Sequence, residues 1–138
     1  MICYAVLDTN VLVSALLSAK DDAATVQVVG KVIRGEIIPL YSHVITKEYR
    51  EVLYRKKFGF SGDAIEYLLS AIEQYGISVD PSPSGIMLSD MNDLPFYEVA
   101  LEKHDDGAYL VTGNIKHFPR KPFIVTPREL LDLMSKNK

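Results

Sequence analysis

Hydrophobic positions along the chain fall into two kinds of run: short continuous stretches and longer stretches with helical spacing. Residues 2–7 (ICYAVL) are apolar throughout, the pattern of a strand buried on both faces. Residues 10–18 and about 23–35 have helical spacing and are separated by Lys20, Asp21 and Asp22. Residues 37–41 (IIPLY) predict a second strand. Ser42 is a natural cap for a helix over about 43–57, whose apolar face includes Val44, Ile45, Val52 and Leu53. A further helix covers about 62–75 and stops at Gly76. Residues 77–79 predict a third short strand, and 80–85 (DPSPSG) a loop. Asp93 stands where a cap belongs for a helix over about 94–104. Residues 109–111 form a buried strand ending in the turn Thr112-Gly113-Asn114, and residues 123–125 form the last strand. Thr126-Pro127-Arg128-Glu129 then has the form of a capping box with proline at the first helical position.

Short apolar strands alternating with helices predict an α/β protein: a three-layer α/β/α sandwich around a mainly parallel sheet of four to five strands. No repeat, low-complexity stretch or long linker divides residues 1–138, so a single domain is expected. In such sheets ligands bind at the carboxyl ends of the strands. That rule directs attention to Asp8, at the end of the first strand, and to Asn114, just after another.

Composition removes several alternatives. At 48% hydrophobic residues, the chain carries enough apolar surface to offset the entropy of folding, which excludes disorder as the main state. The single cysteine, Cys3, excludes a disulfide scaffold and suits a reducing compartment, hence a cytoplasmic location. Residues 1–19 are apolar enough to imitate a signal or a membrane span, but they lack a basic start and hold Asp8 and Asn10 in mid-run. No membrane association is expected. The net charge of −3 argues against strong nonspecific nucleic-acid binding. Residues 1–109 carry 9 Lys/Arg against 16 Asp/Glu, whereas residues 110–138 carry 6 against 2. An acidic body with a basic segment suits a metal site beside a phosphate-binding rim, although an ordinary solvated surface gives the same counts.

Taken one at a time, the candidate residues have ordinary explanations. Asp8 and Asp93 could be helix caps, Glu48 a solvated helix residue, and Asn114 a turn residue. Together they bring three carboxylates and an amide towards one edge of a sheet, an arrangement that costs energy unless cations neutralise it. Hard oxygen donors of this kind select Mg²⁺ or Mn²⁺. Such an ion can activate water and stabilise the leaving oxygen of a phosphodiester with no nucleophilic side chain. No glycine-rich phosphate loop or serine-hydrolase elbow occurs, and His43, His104 and His117 lack metal-ligand spacing. An aspartyl-phosphate mechanism from Asp8 would ordinarily want a second acid two residues on, where Asn10 stands.

Four segments, LDTNVLVSAL at 7–16, ITKEYREVL at 45–53, SDMNDLPFYEVAL at 89–101 and YLVTGNIKHFP at 109–119, occur in the order and spacing of the PIN domain. The chain resembles most closely the small single-domain bacterial and archaeal toxin ribonucleases of that family, over about residues 2–130. The resemblance implies a metal-dependent endoribonuclease, the toxin of a type II toxin–antitoxin pair, in which Asp8, Glu48 and Asp93 match the family's first three acids. Asn114 occupies the position of the fourth. Its amide oxygen can still coordinate but brings no charge and cannot act as a base, which implies weaker binding of a second metal. Asp90 would restore the missing charge if its loop folded inward. Thr9, Asn10 and Thr112 are expected to orient carboxylates or waters. Arg50, Lys116, His117 and Arg120 are the candidates for the RNA backbone.

The resemblance further implies Mg²⁺ or Mn²⁺ as cofactor, RNA as substrate, an antitoxin protein as partner and pairing into a homodimer through helices. Two other functions stay open at this point: a degenerate PIN domain that binds RNA or a protein without cutting, and a phosphotransfer enzyme. Phe118 is expected to pack into the core, with base stacking the lesser alternative.

Overall fold

A computed structural model describes residues 2–136. Among them five strands form one sheet in the order β3-β2-β1-β4-β5, with every neighbouring pair parallel. The strands are β1 (Cys3–Leu7), β2 (Ile37–Tyr41), β3 (Ile77–Ser78), β4 (Tyr109–Val111) and β5 (Ile124–Val125). Six helices connect and follow them: α1 (Thr9–Leu17), α2 (Ala24–Ile33), α3 (His43–Leu53), α4 (Gly62–Tyr75), α5 (Leu94–Lys103) and α6 (Pro127–Lys136). The predicted α/β class and parallel sheet are both found. Among the described residues no helix is long and apolar enough to cross a membrane.

The sheet grows from β1 outward to β2 and β3, and the chain then returns across it to add β4 and β5 on the other side of β1. Right-handed crossovers place the returning helix α5 on the face opposite α1, α2 and α4, while α3 touches both α1 and α5. Helix α5 accordingly packs against β1, β2 and β4, while α2 packs against α1, α4 and α6. The core lies between these layers. Ala5, Val6 and Leu7 of β1 are buried with Leu110 and Val111 of β4, and Tyr49, Phe96 and Tyr97 are the largest fully buried side chains.

Capping follows the sequence at three helices. Ser42 accepts from the Ile45 amide at 3.2 Å, and Ser61 accepts from the Ala64 amide at 3.1 Å. Thr126 and Glu129 exchange bonds between side chain and amide at 2.9 and 3.1 Å, the reciprocal capping box. Helix α3 is shorter than its apolar pattern predicts. It ends at Leu53, and Arg55, Lys56 and Lys57 fall in the turn that follows, where Phe58 and Phe60 stack on each other with ring centroids 5.3 Å apart.

Pro39 lies inside β2, where it cannot donate to a ladder. It is tolerated because β3 pairs with β2 only from Leu40 onward, leaving Pro39 at a locally unpaired edge. The same place explains Gly76 at the end of α4. A Cβ there would stand 2.4 Å from the carbonyl oxygens of both Ile72 and Pro39. Glycine is therefore required by close backbone approach, its φ of −94° being one that any residue adopts. A Gly76→Ala substitution is expected to destabilise the protein by about 1–3 kcal/mol through overpacking. Urea unfolding checks this, and an unchanged midpoint would refute it.

Candidate metal centre

The carboxyl ends of β1 and β4 form the candidate site. Strand order reverses between these two, the place where an open α/β sheet leaves a crevice beyond its strand ends; α1 follows β1, and the 3-10 turn Ile115–His117 follows β4. Their register pairs Leu7 with Val111, and it continues one step further, because the Asp8 amide donates to the Val111 carbonyl at 2.9 Å. Asp8 and Thr112 are thereby neighbours, and the Thr112 hydroxyl donates to Asp8 Oδ2 at 2.7 Å.

Asp8 occupies the capping position of α1, yet its carboxylate makes no capping hydrogen bond. It turns instead into the crevice, where Asn10 Nδ2 also donates to Oδ2 at 3.2 Å. Asn10 bridges further, its Oδ1 accepting from the Gly113 amide at 3.2 Å. The loop after β4 is thus tied to the start of α1.

Glu48 reaches the same end of the sheet from α3, and its Oε2 accepts from the Thr9 hydroxyl. Directly beneath, the Tyr49 hydroxyl donates to the Leu7 carbonyl at 2.5 Å and fixes α3 against the end of β1. Tyr49 lies inside the segment ITKEYREVL but is not among the candidate residues read from it; its place beside Glu48 on the buried face of α3 is the signal that could have marked it.

The third acid departs from its expected local role. Asp93 has helical backbone angles and makes no capping hydrogen bond; Asp90 takes that task, its Oδ1 accepting from the Asn92 amide at 2.9 Å in the 3-10 turn Met91–Asp93. Asp93 is freed to point inward. Its Oδ2 is buried with no hydrogen-bond partner among the described residues. His117 Nδ1 stands 3.4 Å from that oxygen but is not aligned to donate to it. Asp90 is exposed, with one oxygen committed to its turn, and it acts on Glu48 and Asp93 through its charge.

Burial pushes the Asp8 carboxyl up from its ordinary value, against the opposing pull of the Thr112 hydrogen bond. Glu48 is raised chiefly by burial and then by the charges of Asp8, Asp93 and Asp90. Asp93 is raised by burial and by Asp8 and Asp90, with His117 opposing. Tyr49 is held well above its usual value by complete burial and by Asp8 and Glu48. The charge of Asp8 thus raises both Glu48 and Asp93, whereas Asp8 itself is raised by burial alone. As placed, no three Asp, Glu, His or Cys side chains among the described residues converge tightly enough to hold an ion. The donor set nonetheless fits a hard divalent cation, because it consists of carboxylate oxygens, one of them buried and unpartnered.

Asn114 is exposed, and its amide donates to the Thr112 hydroxyl at 2.9 Å. Lys116 and Arg120 are exposed on the segment after β4. Arg50 is engaged in an ion pair with Glu66, which also accepts from the Tyr54 hydroxyl at 2.6 Å. Phe118 is buried against Tyr97, so it serves the core. A mostly apolar cleft of about 460 Å³ lies beside the amino-terminal ends of β4 and β5, lined by Leu101, His104, Tyr109 and Phe123, away from the acids.

A family model for the PIN domain matches residues 4–116, most of the chain. The chain belongs to the PIN domain family, which is usually a nuclease fold and typically uses divalent metal ions. The crystal structure of PAE2754 from Pyrobaculum aerophilum is similar with a TM-score of 0.60 and 15% sequence identity, covering 98% of this chain and 90% of that one. At that identity the likeness is one of fold. No curated protein matches the sequence.

The raised acids set a pH dependence. A carboxyl raised by folding holds its proton more tightly in the folded state, so its contribution to stability is lost as pH climbs from the ordinary carboxylate range through the folded value. Replacing Asp93 by Asn removes that loss. Asp93→Asn is expected to raise the urea midpoint of the protein in EDTA at pH 7, with the gain shrinking as pH falls towards 4. A midpoint that drops at pH 7 would show that Asp93 is not electrostatically frustrated.

Proposed function

We propose that this protein is a divalent-metal-dependent endoribonuclease. What supports the reading is that Asp8, Glu48 and Asp93, from three separate elements, stand near enough at the carboxyl edge of the sheet for the charge of Asp8 to act on the other two, each with its acidity weakened by burial. Asp8, Glu48 and Asp93 would hold Mg²⁺ or Mn²⁺, with Asn114 contributing a neutral amide oxygen and Asp90 adding negative charge nearby. When bound, the ion supplies Lewis acidity for water activation and for the leaving oxygen.

The remaining work falls to the chain itself. Thr112 and Asn10 fix the orientation of Asp8, and Thr9 fixes that of Glu48, so the acids meet the substrate already positioned. Lys116, His117 and Arg120 offer cationic or hydrogen-bonding contacts to the RNA backbone beside the crevice. Arg50 can join them only by exchanging Glu66 for a phosphate. No protein nucleophile is involved, and hydrolysis leaves 5′-phosphate and 3′-hydroxyl ends. In the cell this activity fits the toxin of a type II toxin–antitoxin pair in the cytoplasm, held in check by a protein antitoxin and acting as a homodimer.

A second reading, RNA or protein binding without cleavage, is favoured by two observations: Asn114 in place of a fourth acid, and acids that stand apart as placed. Cleavage of a mixed-sequence single-stranded RNA in Mn²⁺, Mg²⁺ or EDTA separates the two. The parent is expected to cut only with metal, and Asp8→Asn to lose more than about a hundredfold, beyond the loss typical for a residue that merely supports a ligand. Asn114→Asp is expected to raise activity at low metal concentration. Equal cutting by parent and Asp8→Asn would sink the site assignment. Metal binding without any cutting would establish the second reading.

A further inference from the structure

His117 closes the 3-10 turn Ile115–His117, three residues after Asn114, with its ring half exposed and Nδ1 facing the buried Asp93 Oδ2 at 3.4 Å. A protonated imidazole paired with a carboxylate closes to about 2.7–2.9 Å and donates along its N–H. Here the separation is longer and the oxygen goes without a hydrogen bond. Two donors on adjacent corners of an octahedron with bonds of about 2.1 Å stand about 3 Å apart. On a tetrahedron with bonds of about 2.0–2.1 Å they stand about 3.4 Å apart. At 3.4 Å the two atoms can reach one cation, at the tetrahedral spacing as they stand and at the octahedral one after closing by a few tenths of an ångström.

Position agrees with this. The fourth acid position holds the neutral Asn114, and the turn that follows brings an imidazole back against Asp93. The other two histidines are placed elsewhere. His43 is exposed at the start of α3, and His104 stacks on Phe123 with centroids 4.8 Å apart.

We propose that His117 is a metal ligand, supplying a nitrogen donor beside Asp93 that biases the site towards first-row transition ions over Mg²⁺. The proposal rests on the metal-dependent reading above and can fail without it. Nitrogen is a softer donor than carboxylate oxygen and discriminates against the magnesium ion, which prefers oxygen and water.

Mn²⁺ bound to the full chain, examined by pulsed electron paramagnetic resonance for coupling to nitrogen-14, tests it directly. Calorimetric titrations of Mn²⁺ and Mg²⁺ accompany the spectra, and circular dichroism checks folding. The parent is expected to show imidazole coupling. His117→Ala is expected to lose it and to bind Mn²⁺ about tenfold or more weakly, with a smaller change for Mg²⁺. His117→Asp should recover Mg²⁺ binding with no nitrogen signal. A His43→Ala/His104→Ala double variant, left with His117 as its sole histidine, should keep the coupling and decides the matter if the His117 variants fail to fold. Mn²⁺ bound by the parent without nitrogen coupling, or coupling that survives in His117→Ala, overturns the proposal and leaves the metal-dependent nuclease intact. Failure of the parent to bind either ion overturns both.

Discussion

The site depends on the parallel pairing of β1 with β4. The Leu7–Val111 register carries through to the Asp8 amide, and Asp8 and Thr112 thereby become neighbours despite lying 104 residues apart in sequence. Because the strands are parallel, both deliver their polar endings to one edge. Strand order reverses there, and the chain continues into α1 after β1 but into a 3-10 turn after β4, with the crevice between them. The remaining groups are attached to this frame: Asn10 through its bridge to Gly113, and Glu48 through the Tyr49 hydroxyl on the Leu7 carbonyl.

Convergence of acids has an electrostatic cost that the fold bears. Three carboxylates are drawn out of water and each is pushed away from its charged form by burial, Glu48 and Asp93 further by the acids near them. Neutral hydroxyl and amide donors from Thr9, Asn10 and Thr112 offset part of that cost without cancelling the charge. In place of a fixed cationic side chain locked onto the acids, the site has the loosely placed imidazole of His117. What remains uncompensated is the negative charge of the acids, which favours a cation nearby.

Much of the fold was legible along the chain, and for identifiable reasons. Residues 3–7 had to be a strand buried on both faces, since nothing polar interrupts them, and Ser42, Thr126 and Glu129 announced helix starts through chemistry confined to one turn. The misjudged features were those settled by distant neighbours. Helix α3 stops at Leu53, short of the expected residue 57, and the chain turns so that Phe58 and Phe60 stack on each other. Asp93 stands at the cap position of α5 without making the capping bond, and Asp90 caps the 3-10 turn just before it. Both are acids in the same short loop, and local propensity does not separate them.

The sequence by itself determined that the chain alternates strand and helix, that the sheet is parallel, and that Asp8 and Asn114 follow strands whose carboxyl ends matter. These follow from hydrophobic period and from hydrogen-bonding chemistry within a few residues. Only the tertiary structure decided that β1 lies between β2 and β4, that Asp8 turns to Thr112 rather than to its own helix, that Tyr49 underlies the acids, and that His117 faces Asp93. Strand order and side-chain direction are fixed by packing between segments far apart in the chain, and such contacts leave no local pattern to read.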